Sequence, residues 1–244
     1  MNSSQSGQDP WRILVFGASG AIGQAVVDAA SGEGWAVTAV TRAPRAPGDA
    51  PGNWVTLDAG LQPLADSTLA EHGPFDAVCW AQGANISDSI YSVDEDAAMD
   101  LYRTNCLFVV TTLQQLLAAS MLRPRGARLC VVSSIWQERA RQNKLSYTMT
   151  KAAVGGLVRS ASADLGADGH LINAVLPGVL DTPMTRAALS EEQIAATQGA
   201  TLFDALPTPQ AVASTIVFLC SSRNTSTTGQ SIAVDLGFSH VRIV

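Results

Sequence analysis

A short apolar run, Trp11 to Phe16, passes directly into a turn marked by Gly17, Gly20 and Gly23. A helical pattern of Ala25, Val26, Val27, Ala29 and Ala30 follows. This order of strand, glycine turn and helix restricts the chain more than any other feature. A strand apolar throughout suits the centre of a parallel sheet, where both faces are covered. Glycine permits the sharp turn and the close approach of a pyrophosphate, and free N–H groups at the helix start can receive its charge. A plain tight turn would use the same residues, but the flanking strand and helix supply the context that a dinucleotide site requires.

Further strands alternate with helices down the chain. Strand patterns cover 34–41, 54–57, 75–80, 127–132, 170–176 and 231–235. Helical patterns follow at about 96–121, from Tyr147 to Leu165, and at about 209–221. The alternation predicts a single α/β domain over 11–244, with about seven parallel strands flanked by helices, behind a flexible tail at 1–10. Residues 179–207 carry few regular signals and read as a mobile cover over a site. The second strand ends at Thr41 and Arg42, about 20 residues past the glycines, where an acidic residue would read the ribose of NAD. Arg42 suits a 2′-phosphate instead, and so NADP(H), with NAD(H) as the alternative. Asp58 closes the third strand, where it serves as an adenine acceptor or a turn residue.

Composition removes several classes of function. The 244 residues are 47% hydrophobic and only 15% charged, which rules out a disordered chain. A net charge of −6 argues against a nucleic-acid partner. No apolar stretch is long enough to span a membrane, so the chain reads as soluble and cytoplasmic. Cys79, Cys106, Cys130 and Cys220 are scattered and read as buried thiols in a reducing compartment.

One pair carries chemistry. Tyr147 and Lys151 stand four residues apart and share a helix face. A fixed ammonium beside a phenol favours the phenolate and lowers its pKa toward the range of efficient proton transfer. Ser134 arrives at the C-terminal end of the fifth strand, the edge at which open parallel sheets bind ligands. Asn105 sits mid-helix, where its amide competes for backbone groups, and reads as the mark of a functional kink. Gly155 and Gly156 lie inside the Tyr147 helix and suit close packing, including packing across a subunit boundary.

With these landmarks in order, the chain resembles the short-chain dehydrogenase/reductase family over nearly its whole length, from Ile13 to Gly237. The resemblance rests on the glycine turn, Asp58, Asn105, Ser134, Tyr147 with Lys151, Asn173 to Thr182, and Thr228 to Gly237. It implies a Rossmann-type, doubly wound sheet and an oxidoreductase that interconverts a carbonyl and an alcohol, the 3-oxoacyl type included. Tyr147 would be the acid/base, Lys151 would lower its pKa, Ser134 would bind the substrate oxygen, and Asn105 would hold the backbone and a proton path. The cofactor set implied is Gly17, Ser19, Gly20, Ile22, Gly23, Arg42, Asp58, Ala81, Gln82, Gly83, Tyr147, Lys151, Pro177, Gly178 and Thr182. The partner implied is a small-molecule carbonyl or alcohol, and the assembly a homotetramer or homodimer. Ala21 replaces the family's usual glycine, Trp80 to Gly83 replace its Asn-Asn-Ala-Gly, and Leu236 replaces a glycine. The altered loop alone supports the rival reading, a dinucleotide-binding sensor without chemistry.

Overall fold

The computed structural model describes residues 9–44, 50–58, 62–182, 185–186 and 189–241. Most of the expected tail, 1–8, lies outside them. Seven parallel strands form one sheet in the order β3-β2-β1-β4-β5-β6-β7. They are β1 Arg12–Phe16, β2 Ala36–Thr41, β3 Asn53–Thr56, β4 Ala77–Trp80, β5 Arg128–Val132, β6 Leu171–Pro177 and β7 Ser231–Val234. The expected doubly wound α/β sheet is therefore present, with strand ends within two residues of those predicted.

The β period of two divides the core between the two faces. From β1, Ile13 and Val15 pack against α1 (Ala21–Gly32) and the last helix, Pro209–Cys220. Leu14 and Phe16 point the other way, toward α3 (Phe108–Ala118) and α4 (Leu145–Leu165). On that face the Trp80 indole donates to the Thr112 hydroxyl at 2.8 Å, which satisfies both buried groups. Phe16 stacks on Trp80 and meets Phe108 edge-on. All four cysteines are buried free thiols.

Two elements differ from expectation. The long helix predicted over 96–121 is α2 (Glu95–Tyr102), then a π-helical turn at Arg103–Leu107, then α3. Asn105 lies inside that turn, so the residue that reads as a kink marks one. Residues 179–207 are not without regular structure. They contain α5 (Glu191–Gln198), started by a capping box in which Ser190 and Gln193 satisfy each other's backbone N–H groups. The Ser-x-x-Gln spacing is visible in the sequence, but the helix has no apolar stripe to draw notice. The final helix, α6, is Pro209–Cys220, with Thr208 as its N-cap. Among the described residues no helix is long and apolar enough to cross a membrane.

Candidate active site

Between β1 and β4 the strand order changes direction, and a cleft opens at the C-terminal sheet edge there. Its volume is about 580 Å³, and its lining includes Gly17, Ser19, Gly20, Thr41, Arg42, Asp58, Ala81, Gln82 and Gly83. Gly17 adopts φ +71°, and a Cβ there would lie 2.5 Å from the Gln82 backbone nitrogen. A Cβ at Gly23 would lie 2.2 Å from the Gly17 carbonyl oxygen. These two glycines let the turn fold against the β4 loop and against itself. Gly20 is exposed at the cleft, and α1 begins after it with no side-chain cap and no acidic residue in its first turn. The donors of that helix end are left to an anion, which is the chemistry a dinucleotide pyrophosphate offers.

The other expected cofactor residues take varied places. Ala21 stands exposed at the helix start, and Ile22 is half-buried in packing beneath α1. The Thr41 hydroxyl donates to the Ala43 carbonyl at 3.2 Å and reaches Ser19 Oγ at 3.4 Å. Arg42 is exposed on the cleft wall. Pro177 ends β6, and the Gly178 N–H donates to Val234 at 3.0 Å. Thr182 Oγ1 accepts from the Thr185 N–H at 3.2 Å, and its carbonyl accepts from the Arg186 N–H at 3.0 Å. None of these last three lines the cleft.

The chemical groups lie on α4 and at the end of β5. Lys151 is almost fully buried, with Nζ donating to the Val132 carbonyl at 3.2 Å and standing 5.6 Å from the Tyr147 ring centroid. Ser134 is buried where β5 ends, its Oγ accepting from the Trp136 N–H at 3.3 Å. Burial raises the Tyr147 pKa above its ordinary value of 10.0, and the nearby Ser134 hydroxyl works against that rise. Burial lowers the Lys151 pKa to about 8, with Cys106 opposing the fall. In the chain by itself, desolvation of the phenol sets the direction of its shift.

Asn105 joins α4 to the loop at the cleft. Its Oδ1 accepts from the Ala84 N–H at 2.9 Å, and its Nδ2 donates to the Ala84 carbonyl and to Thr150 Oγ1. The π turn carries the amide to these partners, a common use of such bulges. A Cβ at Gly83 would lie 3.5 Å from Asn105 Oδ1 and 3.7 Å from Lys151 Nζ, so the loop after β4 runs directly beside both.

Sequence reasoning missed Asp88, which is buried and bonded to the start of α4. An acidic residue in a polar loop gives no warning of burial. The basic side chains between residues 139 and 144 also make contacts within the chain. Arg139 donates to the Ser239 carbonyl, Arg141 lies 6.0 Å over Trp136, and Lys144 bonds three groups of residues 85–87. A Cβ at Gly155 would meet the Gln137 side chain at 2.9 Å, so the contact it allows lies within the chain.

Comparison with known proteins agrees with this construction. A family model described as Enoyl-(Acyl carrier protein) reductase matches residues 17–239. The 2-keto-3-deoxy-L-fuconate dehydrogenase of Xanthomonas campestris is 30% identical over 75% of this chain, and the match spans 63% of that relative. L-xylulose reductase of Bos taurus is 29% identical over 93% of this chain and 96% of its own length. The ligand-free aldohexose dehydrogenase of Thermoplasma acidophilum superposes with a TM-score of 0.84 at 24% identity, covering 97% of this chain and 96% of that one. The chain belongs to the short-chain dehydrogenase/reductase family of oxidoreductases.

Proposed function

We propose that the protein interconverts a small-molecule ketone or aldehyde and the corresponding alcohol, using NADP(H). The observation that carries the reading is the buried Lys151 amine 5.6 Å from the Tyr147 ring, with Ser134 buried at the end of β5 and the loop after β4 leading from Lys151 to the cleft at the glycine turn. The nicotinamide cofactor, when bound, supplies or accepts the hydride. Gly17, Ser19, Gly20, Gly23, Ala81, Gln82 and Gly83 would hold it, along with Ile22, Asp58, Pro177, Gly178 and Thr182.

In the reducing direction Tyr147 donates its proton to the carbonyl oxygen, and the Ser134 hydroxyl steadies the charge that develops there. Lys151 then returns a proton to the phenolate. A donor with a pKa of about 8 gives its proton readily to a phenolate whose conjugate acid lies above 10.0. Asn105 holds the loop beside Lys151 through Ala84 and keeps that path in place.

Preference for NADP(H) over NAD(H) rests on Arg42 at the cleft and on the absence of an acid at the end of β2. The four buried free thiols support a reducing compartment, the cytoplasm. Met99, Tyr102, Val110 and Leu117 expose apolar surface along α2 and α3, with Met149 exposed on α4. This supports assembly as a homotetramer or homodimer. The relatives named for sugar-derived ketones and the acyl-carrier description of the family model define the first substrates to screen.

The test is NADPH consumption across sugar, keto-acid and 3-oxoacyl carbonyls. Tyr147→Phe is expected to bind NADPH and lose turnover; full turnover by this variant would overturn the roles assigned. Arg42→Ala is expected to raise the Michaelis constant for NADPH and leave that for NADH in place. Binding of NADPH by the wild type without reduction of any carbonyl in the panel would instead support a sensor.

A further inference from the structure

We infer that Asp88 is a positioning residue for Tyr147, tying the cofactor-side loop to the first turn of the catalytic helix. The inference rests on the carbonyl–alcohol reading for its kinetic consequence, but its geometry stands alone. Asp88 is only 6% exposed, although it follows the exposed residues Gly83, Ala84 and Asn85. Its Oδ1 accepts from the Ser146 N–H at 3.0 Å, and its Oδ2 accepts from the Ser146 hydroxyl. Its backbone carbonyl accepts from the Leu145 N–H at 3.2 Å. Lys144 completes the clamp from the other side, donating to Asn85 Oδ1 at 2.9 Å, Ile86 O at 3.2 Å and Ser87 Oγ at 3.1 Å. Three consecutive residues, 144 to 146, are thereby bonded to residues 85–88, and Tyr147 is the next residue.

The start of α4 depends on this clamp. Its N-cap, Lys144, makes no side-chain cap bond, and its first turn contains no acid. Asp88 supplies from a distance both the acceptor and the negative charge that a helix start favours. The loop that holds it begins at Ala81, Gln82 and Gly83, which line the cleft. Asn105 fixes the same loop at Ala84, so the loop is held at two points, one beside Lys151 and one beside Tyr147. The chain lacks the asparagine its family uses after the fourth strand, and the second fixing point provides a separate means of holding this segment.

The experiment compares wild type, Asp88→Ala, Asp88→Asn and Ser146→Ala. Hydrogen exchange of residues 145–148 is measured with steady-state kinetics on a substrate found in the NADPH screen. Asp88→Ala is expected to speed exchange at 145–148 at least tenfold and lower kcat ten- to a hundredfold. The Michaelis constant for the carbonyl should change less than threefold. Asp88→Asn keeps an acceptor for the Ser146 N–H and is expected to recover most of kcat. Ser146→Ala should fall between the two. Unchanged exchange and a kcat within twofold of wild type in Asp88→Ala would overturn the inference. If that variant does not fold, Ser146→Ala with wild-type exchange at 145–148 and wild-type kcat overturns it equally. If no substrate turns over in the wild type, the proposed function fails, whereas the exchange comparison still decides the clamp.

Discussion

Replacing Lys151 by methionine should stabilise the protein while removing its activity. The ammonium is almost fully buried, and desolvation moves its pKa from 10.5 to about 8. At 1.36 kcal/mol per pKa unit, holding the charge in the folded state costs about 3 kcal/mol at neutral pH. Methionine is of similar length and uncharged, but it leaves the Val132 carbonyl without this donor, at a cost of about 1–2 kcal/mol. The net gain expected at pH 7 is about 1–2 kcal/mol, or about 4 °C in Tm for a chain of this size. The pH dependence identifies the cause. Between about pH 8 and 10.5 the folded wild type binds fewer protons at this site than the unfolded chain, so its stability rises with pH there. The burial cost is fully present below that window and vanishes above it. Urea unfolding of both proteins from pH 7 to 10 should therefore show the variant's advantage shrinking by about 2 kcal/mol. An advantage independent of pH, or a variant less stable than wild type at pH 7, would refute the burial argument.

Three other substitutions test the framework. Gly17→Ala puts a Cβ 2.5 Å from the Gln82 nitrogen at φ +71° and should destabilise by about 2–4 kcal/mol, with loss of NADPH binding by fluorescence titration. Gly156→Ala meets nothing within 4 Å inside α4 and should raise stability by about 1 kcal/mol in urea; a loss of stability that depends on protein concentration would instead place a second copy over that position. Asn105→Ala strands both Ala84 backbone groups and should destabilise by about 2–4 kcal/mol; wild-type stability with wild-type kcat would remove Asn105 from the site.

The glycine turn was legible because its requirements are local. Positive φ at Gly17 and the tight approach at Gly23 belong to a strand–turn–helix unit that short-range sequence describes well. Tyr147 and Lys151 could be paired from helical spacing alone, and the strands from their apolar runs. The segment after β6 offers no such signal, because α5 fully buries none of its residues and stands on its capping box rather than on a buried stripe. Asp88 could not be found because burial of a loop carboxylate is a property of what closes over it.

The amino-acid pattern alone specified the strand order along the chain and most of the helices between them, the glycine-marked helix start, and the residue types that can move a proton. Each follows from periodicity, spacing or side-chain chemistry within a few positions. The electrostatics and the fastening of the site come from long-range packing. The direction of the Tyr147 and Lys151 shifts depends on how much water the packed elements exclude, and that depends on residues far apart in the chain. The bonds from Asp88 to Ser146 span 58 positions and those from Asn105 to Ala84 span 21, distances at which local pattern carries no information.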